Sequence, residues 1–173
     1  MIGALTDQKK FCDLALAMGA LHAQVFTLED IVFDTRTLIK CMFGCGDWGK
    51  GLTCPSRPGS LSLGEWRQTL ERYRWGLIIH SNEAKLNQDI SYELERQAFF
   101  AGYYFAFSMS DCKVCATCAG YSNEPCRFPR KARPAFHSVG IDIFATVRRF
   151  SLPIETLEQE GGQENWYAAV FVE

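Results

Sequence analysis

Histidine is scarce in this 173-residue chain. Its three histidines, His22, His80 and His137, share no ligand spacing such as H-x3-H, so a site built mainly from imidazoles is not written into the sequence. A glycine-rich nucleotide loop is missing too, because the glycines at 44, 46, 49 and 51 sit among cysteines and not between a strand and a helix. No apolar stretch approaches about 20 residues, which argues against a membrane-spanning helix. The opening segment MIGALTDQKKFCDLALAMG has no basic stretch followed by an unbroken apolar run, so no signal peptide is expected. A net charge of −2 speaks against a general nucleic-acid binder. Internal repeats and low-complexity tracts are absent as well.

What the chain does have is cysteine in an ordered pattern. Seven of its eight cysteines fall into two groups. Cys112, Cys115 and Cys118 are spaced C-x2-C-x2-C, and Cys126 follows after seven residues. Upstream, Cys41, Cys45 and Cys54 form a looser C-x3-C-x8-C trio that runs directly into Pro55. Three thiols at two-residue intervals suit three corners of a cubane, and a fourth nearby closes the set, which is how a [4Fe-4S] centre is ligated. Zinc is the alternative, although it is more often held by two separated C-x2-C knuckles. An even count of eight leaves a disulfide framework open, whereas in a reducing cytoplasm clustered thiols point to metal.

The upstream trio leaves one iron without an obvious thiolate. Either Cys12 reaches it through the fold, or that iron is open to water, substrate or another side chain. Cys12 lies beside the apolar stripe of a predicted helix, where a small buried hydrophobe is the commoner explanation. Charge gathers around the thiols. From Cys112 to Arg133, five basic residues (Lys113, Arg127, Arg130, Lys131, Arg133) face only Glu124, and from Lys40 to Arg57 three face only Asp47. Such charge stabilises an anionic thiolate cluster, though a solvated basic loop would look the same.

Periodicity and capping signals predict the surrounding elements. A helix is expected over about 7–18, with Thr6 as N-cap and a Phe11, Leu14, Ala15, Met18 stripe ending at Gly19. An extended segment over 25–33 breaks near Glu29-Asp30. The first cysteine trio then falls in a glycine-rich loop. Ser62 and Glu65 form a capping box opening a helix to about Tyr73. A buried strand over 75–79, an amphipathic helix through Leu86, Ile90, Leu94, Ala98 and Ala101, and a strand over 103–109 follow. Arg133-Pro134 opens a short helical turn, 141–149 is helical, 155–164 is an acidic surface loop containing Gly161-Gly162, and 166–172 is a last strand. The class is mixed α/β (α+β): a single domain over 1–173, a two-layer sandwich of helices on a small sheet of mixed direction with two cysteine-rich metal loops. Phe99, Phe100, Tyr103, Tyr104, Phe105 and Phe107 are read as core and cluster shielding.

The order Cys41-x3-Cys45, a glycine-rich loop with Trp48, Cys54-Pro55, then AGYYFAFSMSDCKVCATC, PCRFPRKARPAF and GIDIFATV resembles a family of predicted metal-binding proteins, a domain of unknown function seen chiefly in anaerobic bacteria and archaea. The likeness runs from the first helix to about Leu157. It implies that Cys41, Cys45, Cys54, Cys112, Cys115, Cys118 and Cys126 are a shared ligand set, and that Arg127, Pro129, Arg133, Pro134, Gly140 and Asp142 belong to a shared framework. The family usually carries an acidic residue where His137 stands. It implies no reaction.

Three functional readings follow from the residues. The first is a cytoplasmic iron–sulfur protein with one or two [4Fe-4S] clusters, passing electrons to a redox protein partner in anaerobic metabolism. The second is an enzyme acting on a small-molecule substrate at an open upstream iron beside Asp47, Lys50 or Asp142. The third is a zinc-stabilised interaction module. None of them involves nucleic acid or a membrane.

Overall fold

The structure is a computed structural model that describes residues 2–156 and 163–173, with side chains from Leu5 onward. In chain order it runs α1 (Ile2–Ala17), β1 (His22–Thr27), α2 (Arg36–Gly44), α3 (Leu63–Leu70), β2 (Trp75–Ser81), α4 (Ala84–Phe100), β3 (Phe107–Met109), α5 (Ile143–Arg149) and β4 (Trp166–Phe171). Short 3-10 turns cover Leu28–Asp30, Ala119–Ser122 and Phe136–Val139. None of the helices is long and apolar enough to cross a membrane, among the described residues.

The mixed α/β class holds, and two details of the expectation differ. The sheet is antiparallel throughout, in the order β1-β2-β4-β3. Helix-strand alternation does make β2 and β3 parallel to each other, joined by α4 as a split βαβ unit. β4 enters between them, however, and pairs antiparallel with both, so no parallel ladder forms. The second difference is the number of layers. Every residue of β2 is buried, because both faces of the sheet are covered. Trp75, Leu77, Ile79, Ala168 and Val170 meet Phe11 and Ala15 of α1 and Ile90, Leu94 and Ala98 of α4. On the other face Ile78, Tyr167, Ala169 and Phe171 pack with Leu70, Phe136, Val139, Ile141 and Val147. Burial of that many apolar side chains, at roughly 1.5–3 kcal/mol each, is the main stabilising term.

Local signals place most elements. Ser62 Oγ accepts from the Glu65 amide (3.3 Å) and Glu65 Oε2 accepts from the Ser62 amide (2.8 Å), the reciprocal box read from the sequence. α3 stops at Leu70 rather than Tyr73. α5 begins at Ile143 because Asp142 Oδ1 caps the Ala145 amide at 3.0 Å. α1 begins four residues before Thr6 and ends before Gly19, whose φ is +103°. The break expected near Glu29-Asp30 is a 3-10 turn closing β1. Strand β3 is only three residues long, since 103–106 forms a turn. Of the acidic stretch 155–164, residues 157–162 with Gly161-Gly162 lie outside the described residues. Helix α2 was not legible as a helix: it carries Cys41 inside what reads as a glycine-rich loop.

Candidate metal centre

Cys41, Cys45 and Cys54, together with Cys112, Cys115, Cys118 and Cys126, all line one cavity of about 180 Å³. Two groups separated by some sixty residues of chain thus share a wall. All eight cysteines are free thiols. Among the described residues no three Cys, His, Asp or Glu side chains converge closely enough to hold a single ion. The seven cysteines share the lining of one space.

Each thiol is positioned differently. Cys41 is buried on α2, and Cys45 ends that helix. Burial, aided by the neighbouring Cys45, Cys54 and Asp111, pushes the Cys41 thiol up to about 11. Cys54 lies in the following loop, its Sγ 2.9 Å from Ser56 Oγ, which also accepts from the Gly49 amide at 2.9 Å. Cys112 follows β3 after two residues. Cys118 precedes the 3-10 turn Ala119–Ser122, and Asn123 reverses the chain with φ +56° before Cys126.

The two cysteine segments meet around Gly120 and Tyr121. At Gly120, an added Cβ would lie 2.0 Å from the Lys50 carbonyl oxygen and 3.0 Å from Leu52, so only glycine permits this approach. The Tyr121 hydroxyl donates to Asp47. Lys50 Nζ lies 5.4 Å from the centroid of the Tyr121 ring.

Polar side chains the sequence reading did not single out hold the downstream loop in place. Gln88, on α4 and 2% exposed, accepts from the Lys113 amide (2.6 Å) and donates to the Lys131 carbonyl (3.3 Å). Its amide nitrogen is also 3.9 Å from Cys112 Sγ. One buried amide therefore ties the start of this loop to its end. Glu95, two turns further along α4, receives Arg133 Nε at 2.8 Å and pairs with its terminal nitrogen, while Ser108 donates to the same carboxylate from its amide (2.7 Å) and hydroxyl (2.6 Å). Both residues fall on the buried side of a helix read only by its apolar stripe. A polar residue in helical register with Leu94 and Ala98 was the available signal.

The positive charge is distributed otherwise than its sequence density suggests. Arg133 is taken up by Glu95 and does not line the cavity. Lys113 and Arg127 do, opposite Asp47 and Asp111, so the wall itself is nearly balanced. His137 also lines it, whereas Asp142 is the cap of α5. Cys12 is partly buried, packs against the α1–α4 core and is not part of the wall. The aromatics differ more. Phe99, Phe100, Tyr104 and Phe105 are exposed at the far end of α4, and none of the six aromatics read as shielding touches the cavity.

A family model described as predicted metal-binding protein (DUF2284) matches residues 24–172. The chain belongs to this family. The match takes in all seven cavity cysteines and leaves out Cys12 and α1. It begins later than the first helix and runs past Leu157 to the end of the sheet. No curated protein and no solved structure matches the chain. Membership makes this a predicted metal-binding protein and leaves the metal and the reaction unassigned.

Proposed function

We propose that the chain is a cytoplasmic iron–sulfur protein, one metal-binding domain in which Cys41, Cys45, Cys54, Cys112, Cys115, Cys118 and Cys126 hold one or two [4Fe-4S] clusters for electron transfer in anaerobic redox metabolism. The observation that carries this is the shared cavity, with seven free thiols distributed around it. A tetrahedral zinc needs four ligands on one point. A cluster takes one thiolate per iron, so its ligands stand apart around a larger body. When bound, such a cluster exchanges single electrons. The protein's part is to supply the thiolates, to hold the loops through Gln88 and the Arg133–Glu95 pair, and to shield the centre with Trp48, Leu52 and Phe128.

A second reading is favoured by one observation. The upstream trio has three thiols, Cys12 lies in another layer, and Asp47, Asp111 and His137 line the same cavity. An iron there with a non-thiolate position would serve a small-molecule substrate as a Lewis acid, with Asp111 or His137 placed to hold a proton.

Anaerobic purification followed by counts of iron, zinc and acid-labile sulfide per chain tests both. About four or eight irons with equal sulfide and a brown colour that bleaches on reduction are expected. A colourless protein carrying zinc alone would sink both readings and leave the structural zinc module. Cys115→Ala should lose metal and lower the melting temperature together, because metal-binding free energy is also folding free energy.

A further inference from the structure

The cavity cysteines form one full set and one short set. Cys112, Cys115, Cys118 and Cys126 supply four thiols, whereas Cys41, Cys45 and Cys54 supply three. Cys12 does not line the cavity. Besides thiols, the wall offers the carboxylates of Asp47 and Asp111 and the imidazole of His137, all groups that bind metals.

These three differ in what already engages them. Asp47 is exposed and accepts from the Tyr121 hydroxyl. Asp111 is half-buried, and among the described residues no hydrogen bond or ion pair engages its carboxylate. The two cations of the wall are occupied elsewhere. Lys113 Nζ lies 5.5 Å from the centroid of the Trp166 ring, and Arg127 pairs with Glu124 at 3.4 Å. A partly desolvated carboxylate without a partner carries a cost that a bound metal would offset.

By sequence Asp111 precedes Cys112 and belongs to the downstream segment. Its charge nevertheless bears on the upstream one: after burial, the groups that push the Cys41 thiol up are Cys45, Cys54 and Asp111. The carboxylate thus stands beside the short set. The backbone around it is tied on both sides. The Ser110 amide donates to the Pro134 carbonyl at 3.0 Å, and the Lys113 amide donates to buried Gln88 at 2.6 Å. A side chain on such a fixed backbone loses less freedom when it binds. His137, on the turn Phe136–Val139, lines the wall as well and is the rival for the same role.

We propose that Asp111 is the fourth ligand of the upstream trio, so that Cys41, Cys45, Cys54 and Asp111 hold one metal centre and the four downstream cysteines a second. This rests on the reading of the cysteines as metal ligands, and it closes the position that the open-iron reading leaves free. A carboxylate oxygen is a harder donor than a thiolate and suits cluster iron less well. The metal at Asp111 is therefore the one most easily removed. Asp111 also borders a neighbouring cavity of about 450 Å³, so small molecules can approach it from that side.

The test compares the anaerobically purified full chain with Asp111→Ala, Asp111→Cys, His137→Ala and Cys12→Ala. Its readouts are iron, zinc and acid-labile sulfide per chain, and the electron paramagnetic resonance spectrum of the reduced protein. Asp111→Ala should lose about one to four irons per chain while the downstream centre keeps its own. Asp111→Cys should restore the count and release iron to EDTA about ten-fold more slowly than the parent. The spectrum should change in both variants, which a merely structural role for Asp111 would not produce. His137→Ala and Cys12→Ala should match the parent throughout. Parent iron content and spectrum in Asp111→Ala would overturn the proposal. So would loss of upstream iron in His137→Ala or Cys12→Ala alone, which assigns the ligand to that residue. If Asp111→Ala fails to fold, Asp111→Cys decides: an unchanged spectrum and unchanged release to EDTA remove Asp111 as a ligand. Metal identity separates the two claims. Zinc in the parent that falls in Asp111→Ala removes the iron–sulfur reading and keeps the ligand, whereas iron and sulfide indifferent to Asp111→Ala do the reverse.

Discussion

Where α1 and α4 cover the sheet, the groups that meet are mainly apolar and buried: Phe11, Ala15, Ile90, Leu94 and Val170 belong to one packed layer. Where the cysteine segments fold, regular structure almost vanishes, most thiols are partly exposed, and the contacts between the two segments include a glycine approach, a hydrogen bond and a cation–π pair. The first region is held by area, which tolerates small changes in shape. The second is held by a few points, each of which decides whether the thiols stay together. Helix α4 serves both, with its apolar stripe in the core and Gln88 and Glu95 reaching under the cysteine loop. A metal bound in the second region would add stability where the chain has least of its own.

That contrast can be broken most forcefully at the joint between the two regions. Arg133→Met leaves the Glu95 carboxylate buried without its partner, both side chains being more than four-fifths shielded. The expected loss is about 3 kcal/mol, read by urea denaturation, and Glu95→Gln added to it should recover part. If Arg133→Met proves neutral, the pair does not join the regions. Next is Gly120→Ala, which drives a methyl into the Lys50 carbonyl. It should cost roughly 1–3 kcal/mol and reduce bound metal, while amide-exchange protection of β2 and β4 stays as in the parent. Loss of protection in the sheet would mean the regions are not separable.

Gln88→Leu keeps the volume of a buried side chain and removes both hydrogen bonds to the loop. Bound metal should weaken by about 10- to 100-fold, with a stability change near 1–3 kcal/mol from the unpartnered Lys113 amide and Lys131 carbonyl. Unchanged metal affinity would make Gln88 a core residue only. The smallest effect is expected from pH and belongs to the core side. Burial lowers the pKa of His80, with a contribution from His22, whose Nδ1 is 2.9 Å from that of His80. The unfolded chain therefore takes up the proton first as pH falls below about 6.5. Stability is full above that value and declines beneath it, by at most about 1.4 kcal/mol per pH unit. Comparing urea midpoints at pH 7.5 and 5.5 in the parent and in His80→Gln should show the loss only in the parent.

Much of this was legible from local pattern. The Ser62–Glu65 box, the α4 stripe and the buried run at 75–79 are written in residues that are near neighbours in the chain, so spacing alone reveals them. Helix α2 was masked by the glycines that follow Cys41, since a short helix with one buried residue has little periodicity to read. Phe99, Phe100, Tyr104 and Phe105 look like core by composition, yet they stand exposed at the end of α4, while Tyr103 among them turns inward against Phe11 and Trp75. Arg133 looked like free charge because its partner, Glu95, is thirty-eight positions away.

By itself, the amino-acid order determined that the chain would build a mixed helix-and-strand core and would carry thiols spaced for metal, because helical, strand and ligand periods are all short-range properties. Tertiary structure alone decided that the two cysteine groups face one cavity, that Cys12 stays apart, and that Gln88 and Glu95 serve the loop. Those outcomes depend on β4 inserting between β2 and β3 and on the close approach at Gly120, and both are encounters between residues far apart along the chain.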